Sequence, residues 1–172
     1  MTQVRVVAHK RLPVPVTGDE KTMLSAFLDR YRETVIWKLD GLSTTEASRK
    51  LVPSASTLLG IAKHLAYVER GWFQENFAGQ AVKYPWPEDE PDPDIDFRIQ
   101  PEDTIETVTA LYEKEIARSK EIVASASLDD LSSDKQRQRS LRWIMVHMIE
   151  ETARHAGHAD ILRELTDGAI GQ

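Results

Sequence analysis

The C-terminal segment, residues 140–168, reads SLRWIMVHMIEETARHAGHADILRELTDG. Steps of three and four residues through this segment collect a stripe formed by Leu141, Ile144, Met148, Glu151, His155, His158, Leu162 and Leu165. Such spacing is typical of the face by which a helix packs into a bundle. We therefore predict one long helix that begins after Ser140, ends near Thr166 and is terminated by Gly168.

The middle of this stripe is polar where a packed helix requires hydrophobic side chains. Glu151 and His155 are spaced i and i+4, which places their side chains about 5–6 Å apart on one face. A carboxylate directed toward a core costs several kcal/mol unless it is paired, hydrogen-bonded or bound to a cation. The sequence therefore implies a partner for Glu151.

A second stripe, in the segment 57–77, is interrupted by His64. Its apolar neighbours at helical spacing are Ile61, Val68 and Trp72. Inside a helix bundle His64 can meet Glu151 and His155, as ligands do in carboxylate-bridged metal bundles. Three nitrogen and oxygen ligands with open positions describe a catalytic type of divalent-metal site. These three residues are the candidate metal ligands.

The polar residues of the two stripes also have structural interpretations. A single core histidine is usually a hydrogen-bonded one, and Glu151 with His155 can form a buried pair without a metal. Two more histidines extend the candidate site. His147, one turn before Glu151, is a reserve ligand at the edge of the stripe. His158 is a candidate for contact with a substrate or for packing beside the pair.

The rest of the chain is expected to complete an all-α four-helix bundle. The expected elements are an extended N-terminal arm over 1–18, a bundle domain over 19–172, helices over 19–39, 44–51 and 57–77, and a third long helix from Asp103. The segment 83–101, KYPWPEDEPDPDIDFRIQP, is a long crossover between the second and third long helices. Its apolar side chains favour docking on the bundle, and its acidic residues are interpreted as a solvated face.

Composition excludes several classes of function. The 172 residues, of which 41% are hydrophobic and 29% charged, can bury a single core without disulfides. A formal charge of −6 disfavours binding to nucleic acid or to an anionic membrane, because no basic surplus exists. The chain has no cysteine and no membrane-spanning run, and residues 1–20 lack the uninterrupted apolar stretch of a signal peptide, so that a cytoplasmic location is expected.

The chain resembles the DinB/YfiT-like superfamily of metalloenzymes and, within it, the actinobacterial mini-circle protein group. The resemblance is carried by SLRWIMVHMIEETARHAGHADILRELTDGAIGQ at 140–172, by STLLGIAKHLAYVERGWF at 56–73 and, more loosely, by DPDIDF at 92–97. It implies a four-helix bundle that binds a divalent metal through one residue of the second long helix and two residues of the fourth.

The resemblance transfers the metal ligands position by position. The ligand of the second helix falls on His64. The widespread pattern of the fourth helix is a His pair at i and i+4, and His155 is in register with its second member. At the position of the first member this chain has Glu151 in place of His. The resulting set is similar to the His/Glu/His ligands of the mycothiol-dependent maleylpyruvate isomerases of the same superfamily.

The resemblance also implies a reaction. Relatives use a low-molecular-weight thiol such as mycothiol or bacillithiol, which implies a thiol-dependent S-transferase or isomerase acting on a small-molecule electrophile. The expected ion is Zn or Ni, with Fe or Mn as further choices. His158, Trp72 and Trp143 are candidates for the wall of the thiol pocket.

Two other functions stay open at this point. A metal-dependent hydrolase is one, although Glu151 as a ligand leaves it without an evident general base. A non-catalytic, stress-associated helical binding module is the other, in which the polar stripe is a hydrogen-bonded core network without a metal. A homodimer through outer helix faces is a further expectation.

Overall fold

The computed structural model describes residues 5–6 and 13–170. Its helices are α1 (Glu20–Trp37), α2 (Thr44–Ala47), α3 (Leu58–Glu69), α4 (Ile105–Ser125) and α5 (Leu141–Asp167). A π-helix over Arg70–Phe77 extends α3 without a break, and a 3₁₀ turn over Ile95–Phe97 lies in the crossover. The short strands β1 (Arg5–Val6) and β2 (Ala169–Ile170) pair in parallel. The predicted all-α helical bundle is confirmed.

The ends of the long helices have local causes in the sequence. Asp19 and Ser140 cap the first turns of α1 and α5 by accepting backbone N–H bonds from Thr22 and Trp143. Gly168 ends α5 in the left-handed conformation, with a φ of 77°, which glycine adopts without a steric penalty.

Two predicted boundaries are wrong. Helix α2 ends at Ala47 instead of continuing to residue 51. Helix α4 begins at Ile105 behind a capping box of Thr104 and Thr107, and not behind Asp103. The Asp103 carboxylate instead accepts a hydrogen bond from Lys63 Nζ at 2.7 Å. Asp103 therefore forms a long-range ion pair and not the helix cap that local spacing predicted.

The bundle packs as two pairs, α1 against α5 and α3 against α4, with α5 also against α3. A buried ion pair joins α1 to α3, where the Arg32 guanidinium contacts both carboxylate oxygens of Glu69 at 2.7 and 2.6 Å. The core forms two clusters of buried side chains, the largest of which include Tyr112, Phe73, Leu59, Ile61, Leu65, Leu141, Ile144 and Met148.

The predicted stripe of α5 is wrong at its C-terminal end. His158 and Leu165 are exposed, whereas Ala159 and Arg163 are buried in their place. The spacing of three and four residues assumes a period of 3.5, while a straight α-helix turns once in 3.6 residues. The buried face therefore drifts by about 20° per heptad and leaves the predicted stripe over three heptads.

Most of the predicted N-terminal arm, 1–18, lies outside the described residues, and the division into an arm and a bundle domain stays a prediction. In the part of the chain that the structure describes, each helix is too short or too polar to cross a membrane.

Candidate metal centre

Three polar side chains from two helices converge at one point of the α3–α5 contact. His64 comes from α3, and Glu151 and His155 come from α5. One ligand atom from each lies within 4.8 Å of the others. Glu151 Oε1 is 3.4 Å from His64 Nε2 and 3.1 Å from His155 Nε2. The two imidazole ring centroids are 4.8 Å apart.

Rigid helices position these side chains. On α3, the residues at 61 and 65 on either side of His64 are fully buried, so that the helix is anchored in the core at this turn. On α5, Thr152 is buried beside Glu151, and its hydroxyl donates a hydrogen bond to the Met148 carbonyl at 2.7 Å. Sites built on packed helices hold their geometry more closely than sites on loops.

Two of the three separations between these atoms fit a small divalent ion. Two ligand atoms that are each about 2.0–2.1 Å from a zinc-sized ion, at a tetrahedral angle, lie about 3.3–3.4 Å apart. The separations of 3.4 and 3.1 Å at Glu151 Oε1 are close to that value. Two imidazoles and a carboxylate are also a donor set that such ions accept. His64, Glu151 and His155 are therefore suited to bind such an ion, and the remaining separation, between the two imidazole nitrogens, is at most 4.8 Å.

The surroundings set the charges that a metal site requires. Burial, together with the nearby His64, lowers the pKa of His155 to about 4 against the opposing effect of Glu151. Burial raises the pKa of Glu151, but its interactions with His64 and His155 outweigh the effect of burial, so that the net pKa is lowered. At neutral pH His155 is a neutral imidazole and Glu151 a carboxylate, the forms in which both residues bind metals.

The crossover supplies a residue that sequence reasoning missed. Asp96 Oδ2 lies 2.7 Å from His64 Nδ1, on the side of the ring opposite to Glu151. Phe97 stacks on the same ring, with centroids 4.0 Å apart and an angle of 16°. The interpretation of the acidic residues as a solvated face is wrong for Asp96. Its position between Ile95 and Phe97 was the available signal, since a residue flanked by apolar neighbours is drawn to the bundle.

Three of the other predicted residues form a separate aromatic cluster. His147 lies against Trp72 and Trp143, with ring centroids 4.6 and 5.3 Å apart, and the two indoles are 5.7 Å from each other. The Arg139 guanidinium covers both indoles. Trp143 precedes Glu151 by eight residues, about 12 Å along the helix axis. The structure therefore does not bring His147, Trp72 or Trp143 into the group of three.

His158 lies on the other side of that group. Its ring contacts the His155 ring edge to face at a centroid distance of 5.4 Å, and the residue is exposed. A position one turn beyond His155 and open to solvent leaves His158 available to a bound molecule.

Comparison with known proteins identifies a family. A family model described as mycothiol-S-transferase matches residues 23–168, a span that includes α3, α4, α5, all but the first three residues of α1, and the three clustered residues. No curated protein and no solved structure matches the chain. The match also includes the crossover that carries Asp96.

Proposed function

The chain belongs to the mycothiol-S-transferase family, and from this premise we propose that it is a divalent-metal-dependent thiol S-transferase or isomerase. The thiol is a low-molecular-weight one such as mycothiol, and the second substrate is a small electrophile. His64, Glu151 and His155 are the proposed metal ligands. The observation that carries the proposal is the convergence of their ligand atoms within 4.8 Å from two helices.

The proposed reaction needs a thiolate at neutral pH. A divalent ion bound here would supply one, because coordination lowers the pKa of a thiol. The chain contains no cysteine, so that the sulfur has to arrive with the substrate. In transfer, the sulfhydryl loses its proton, a sulfur–carbon bond forms, and the electrophile takes up a proton or expels its leaving group. In isomerisation that bond forms and breaks again, which regenerates the thiol.

The side chains of the proposed site have the protonation state and the orientation that this role requires without a bound ligand. His155 is neutral because burial lowers its pKa to about 4. The second oxygen of Glu151, Oε2, lies 3.6 Å from Arg154 Nη1 at the half-exposed edge of the site. This contact favours the orientation in which Oε1 points at the two imidazoles. Zn or Ni is the ion that the donor set fits best, with Fe and Mn as further choices.

The thiol pocket is proposed to extend from the metal ligands along α5. His158 borders the site toward the C-terminal end, and the indoles of Trp72 and Trp143 lie toward the N-terminal end. Aromatic faces of this kind bind the apolar and ring portions of small molecules.

The first experiment is metal analysis of the purified protein, followed by conjugation assays. We expect about one divalent ion per chain in the wild type and strongly reduced metal in His64→Ala. The matched control is His147→Ala, which removes a histidine that contacts Trp72 and Trp143 outside the group of three. Mycothiol and a panel of electrophiles are then supplied to the metal-loaded protein, and loss of free sulfhydryl is measured.

The outcomes separate the alternatives. Bound metal without any thiol-dependent turnover would discard the transferase and keep the metal site. Turnover without added thiol would favour a hydrolase instead. A wild type that binds no divalent ion would favour the helical binding module and end the proposal.

A further inference from the structure

The His64 ring is held on two sides by a single turn of the crossover. Asp96 contacts its Nδ1 at 2.7 Å, and Phe97 stacks on its face at 4.0 Å. Both residues belong to the 3₁₀ turn Ile95–Phe97, which is separated from His64 by about thirty positions of chain. The ring is therefore fixed both by its own helix and by a second element.

This turn is attached to α3 independently of the His64 ring. Lys63, which is buried, donates a hydrogen bond from Nζ to the Arg98 carbonyl at 2.8 Å and another to Asp103 at 2.7 Å. At Gly60, one turn before His64, the turn approaches so closely that a Cβ atom would lie 2.6 Å from the Phe97 carbonyl oxygen. The position of Asp96 relative to α3 is therefore set by contacts of Phe97 and Arg98, the two residues that follow it.

Among the described residues, the Asp96 carboxylate forms a hydrogen bond with His64 alone. Its second oxygen, Oδ1, is buried and has no hydrogen-bond partner among the described residues. A buried carboxylate oxygen without a partner costs free energy, and a buried polar group of this kind calls for a specific explanation. The contact with His64 is the interaction that holds the carboxylate in this position.

The contact determines which nitrogen of His64 faces the group of three. Both ring nitrogens face carboxylate oxygens, which accept hydrogen bonds and do not donate them. The Asp96 contact at 2.7 Å is shorter than the Glu151 contact at 3.4 Å, so that we assign the proton of a singly protonated ring to Nδ1. In the singly protonated ring Nε2 then presents a lone pair toward Glu151 Oε1, 3.4 Å away. Two acceptors that face each other repel unless a cation lies between them. The orientation that Asp96 imposes is the one that a metal ligand requires.

We propose that Asp96 is a positioning residue for His64. It holds the ring in the Nδ1–H tautomer and directs Nε2 at the metal, while Phe97 prevents the ring from rotating. The inference rests on the proposed metal site. Residues in this position typically change metal affinity by about 10–100-fold when they are replaced.

The test compares Asp96→Asn with Asp94→Asn. Both substitutions remove one negative charge from the same loop with nearly the same shape, and Asp94 has no contact with His64. The dissociation constant of the zinc ion, used as the probe, is measured by competition with a chromophoric chelator. We expect it to rise about 10–100-fold in Asp96→Asn and less than about twofold in Asp94→Asn.

A second measurement reads the ring itself without any metal. Long-range ¹⁵N–¹H correlation spectra of the metal-free wild type at pH 8 report which nitrogen of His64 is protonated, and we expect Nδ1. In Asp96→Asn we expect a tautomer mixture, because an amide can donate as well as accept. A purely structural role of Asp96 would leave the tautomer unchanged.

The results distinguish this inference from the proposed function. Equal zinc affinities of the two Asn variants, or an Nε2–H tautomer in the wild type, would overturn the role of Asp96 and leave the metal site in place. Failure of the wild type to bind zinc or any other divalent ion would overturn both.

Discussion

The His155 side chain occupies a position in which a charged imidazole is unfavourable. It is 8% exposed, and among the described residues its Nδ1 has no hydrogen-bond partner. Burial is the main reason why its pKa falls from 6.5 to about 4, and the neighbouring His64 adds to the decrease. Glu151 opposes the shift but does not cancel it. The site therefore keeps a neutral ligand nitrogen ready well below neutral pH.

This pKa predicts a pH-dependent stability of the metal-free protein. Between pH 6.5 and 4 the unfolded chain protonates His155 while the folded chain does not. The unfolded state binds more protons in this window, so that stability falls as the pH is lowered through it. The expected slope from this residue is up to about 1.4 kcal/mol per pH unit. Urea unfolding of the wild type and of His155→Gln, both without metal, measures it.

The difference between the two proteins isolates His155, because other titrating groups are common to both. We expect a wild-type profile that is steeper than that of His155→Gln between pH 6.5 and 4. Parallel profiles would show that His155 titrates normally in the folded protein, and would contradict its burial as a neutral ring.

At the scale of the element, the crossover is a structural part of the bundle and not a loose connection. Its 3₁₀ turn packs on α3 with Gly60 at the closest point. The Gly60 amide is also held by the Thr57 hydroxyl at the helix N-terminus, at 2.9 Å. Glycine is required here by the close approach of the turn, since any side chain would meet the Phe97 carbonyl oxygen.

We therefore expect Gly60→Ala to be destabilising. An added Cβ at 2.6 Å from a backbone oxygen forces the turn away from α3, at a cost of about 1–3 kcal/mol in the free energy of unfolding. The displacement also moves Asp96 and Phe97 away from His64. Chemical denaturation gives the stability change, and chelator competition gives the expected loss of zinc affinity.

The matched control is Gly157→Ala in the middle of α5, where an added Cβ meets no atom within 4 Å. There alanine removes only the unfavourable helix propensity of glycine, and we expect a gain of up to about 1 kcal/mol. Destabilisation of both variants to the same degree would contradict a specific contact at Gly60.

At the scale of the whole molecule, the candidate site joins segments that are distant in the chain. His64 and Glu151 are 87 positions apart and come from helices that pack against each other. An ion held between α3 and α5 binds only the folded chain. Its binding free energy therefore adds to the free energy of unfolding.

We expect removal of metal to lower the thermal midpoint of the wild type. At a free ion concentration of about 100 times the dissociation constant the stabilisation is about 2.7 kcal/mol, or about 5–10 °C for a chain of this size. Differential scanning fluorimetry with and without a chelator measures the shift. Glu151→Gln, which keeps the shape of the side chain and removes its charge, serves as the insensitive control.

An equal effect of chelator on the wild type and on Glu151→Gln would place the bound ion elsewhere. If a chelator does not change the thermal midpoint of the metal-loaded wild type, the three residues do not bind a metal and form a hydrogen-bonded polar group in the core.

The helices, and the elements that carry the candidate ligands, can be predicted from the amino-acid sequence alone. Apolar spacing and caps at Asp19 and Ser140 depend on neighbours within one or two turns, and the 3.6-residue period fixes which side chains share a face. For the same reason Glu151 and His155 were recognisable as a pair on one side of α5. Their role as metal ligands stays a prediction.

Contacts between groups that are distant in the chain become visible only in the folded structure. The contact of Asp96 with His64 and the contact of Trp72 with Trp143 and His147 depend on the path of the crossover and on how α3 and α5 cross. Local spacing contains no information on these partners. A loop side chain is positioned by the surface on which the loop docks, and that surface exists only after the helices have packed.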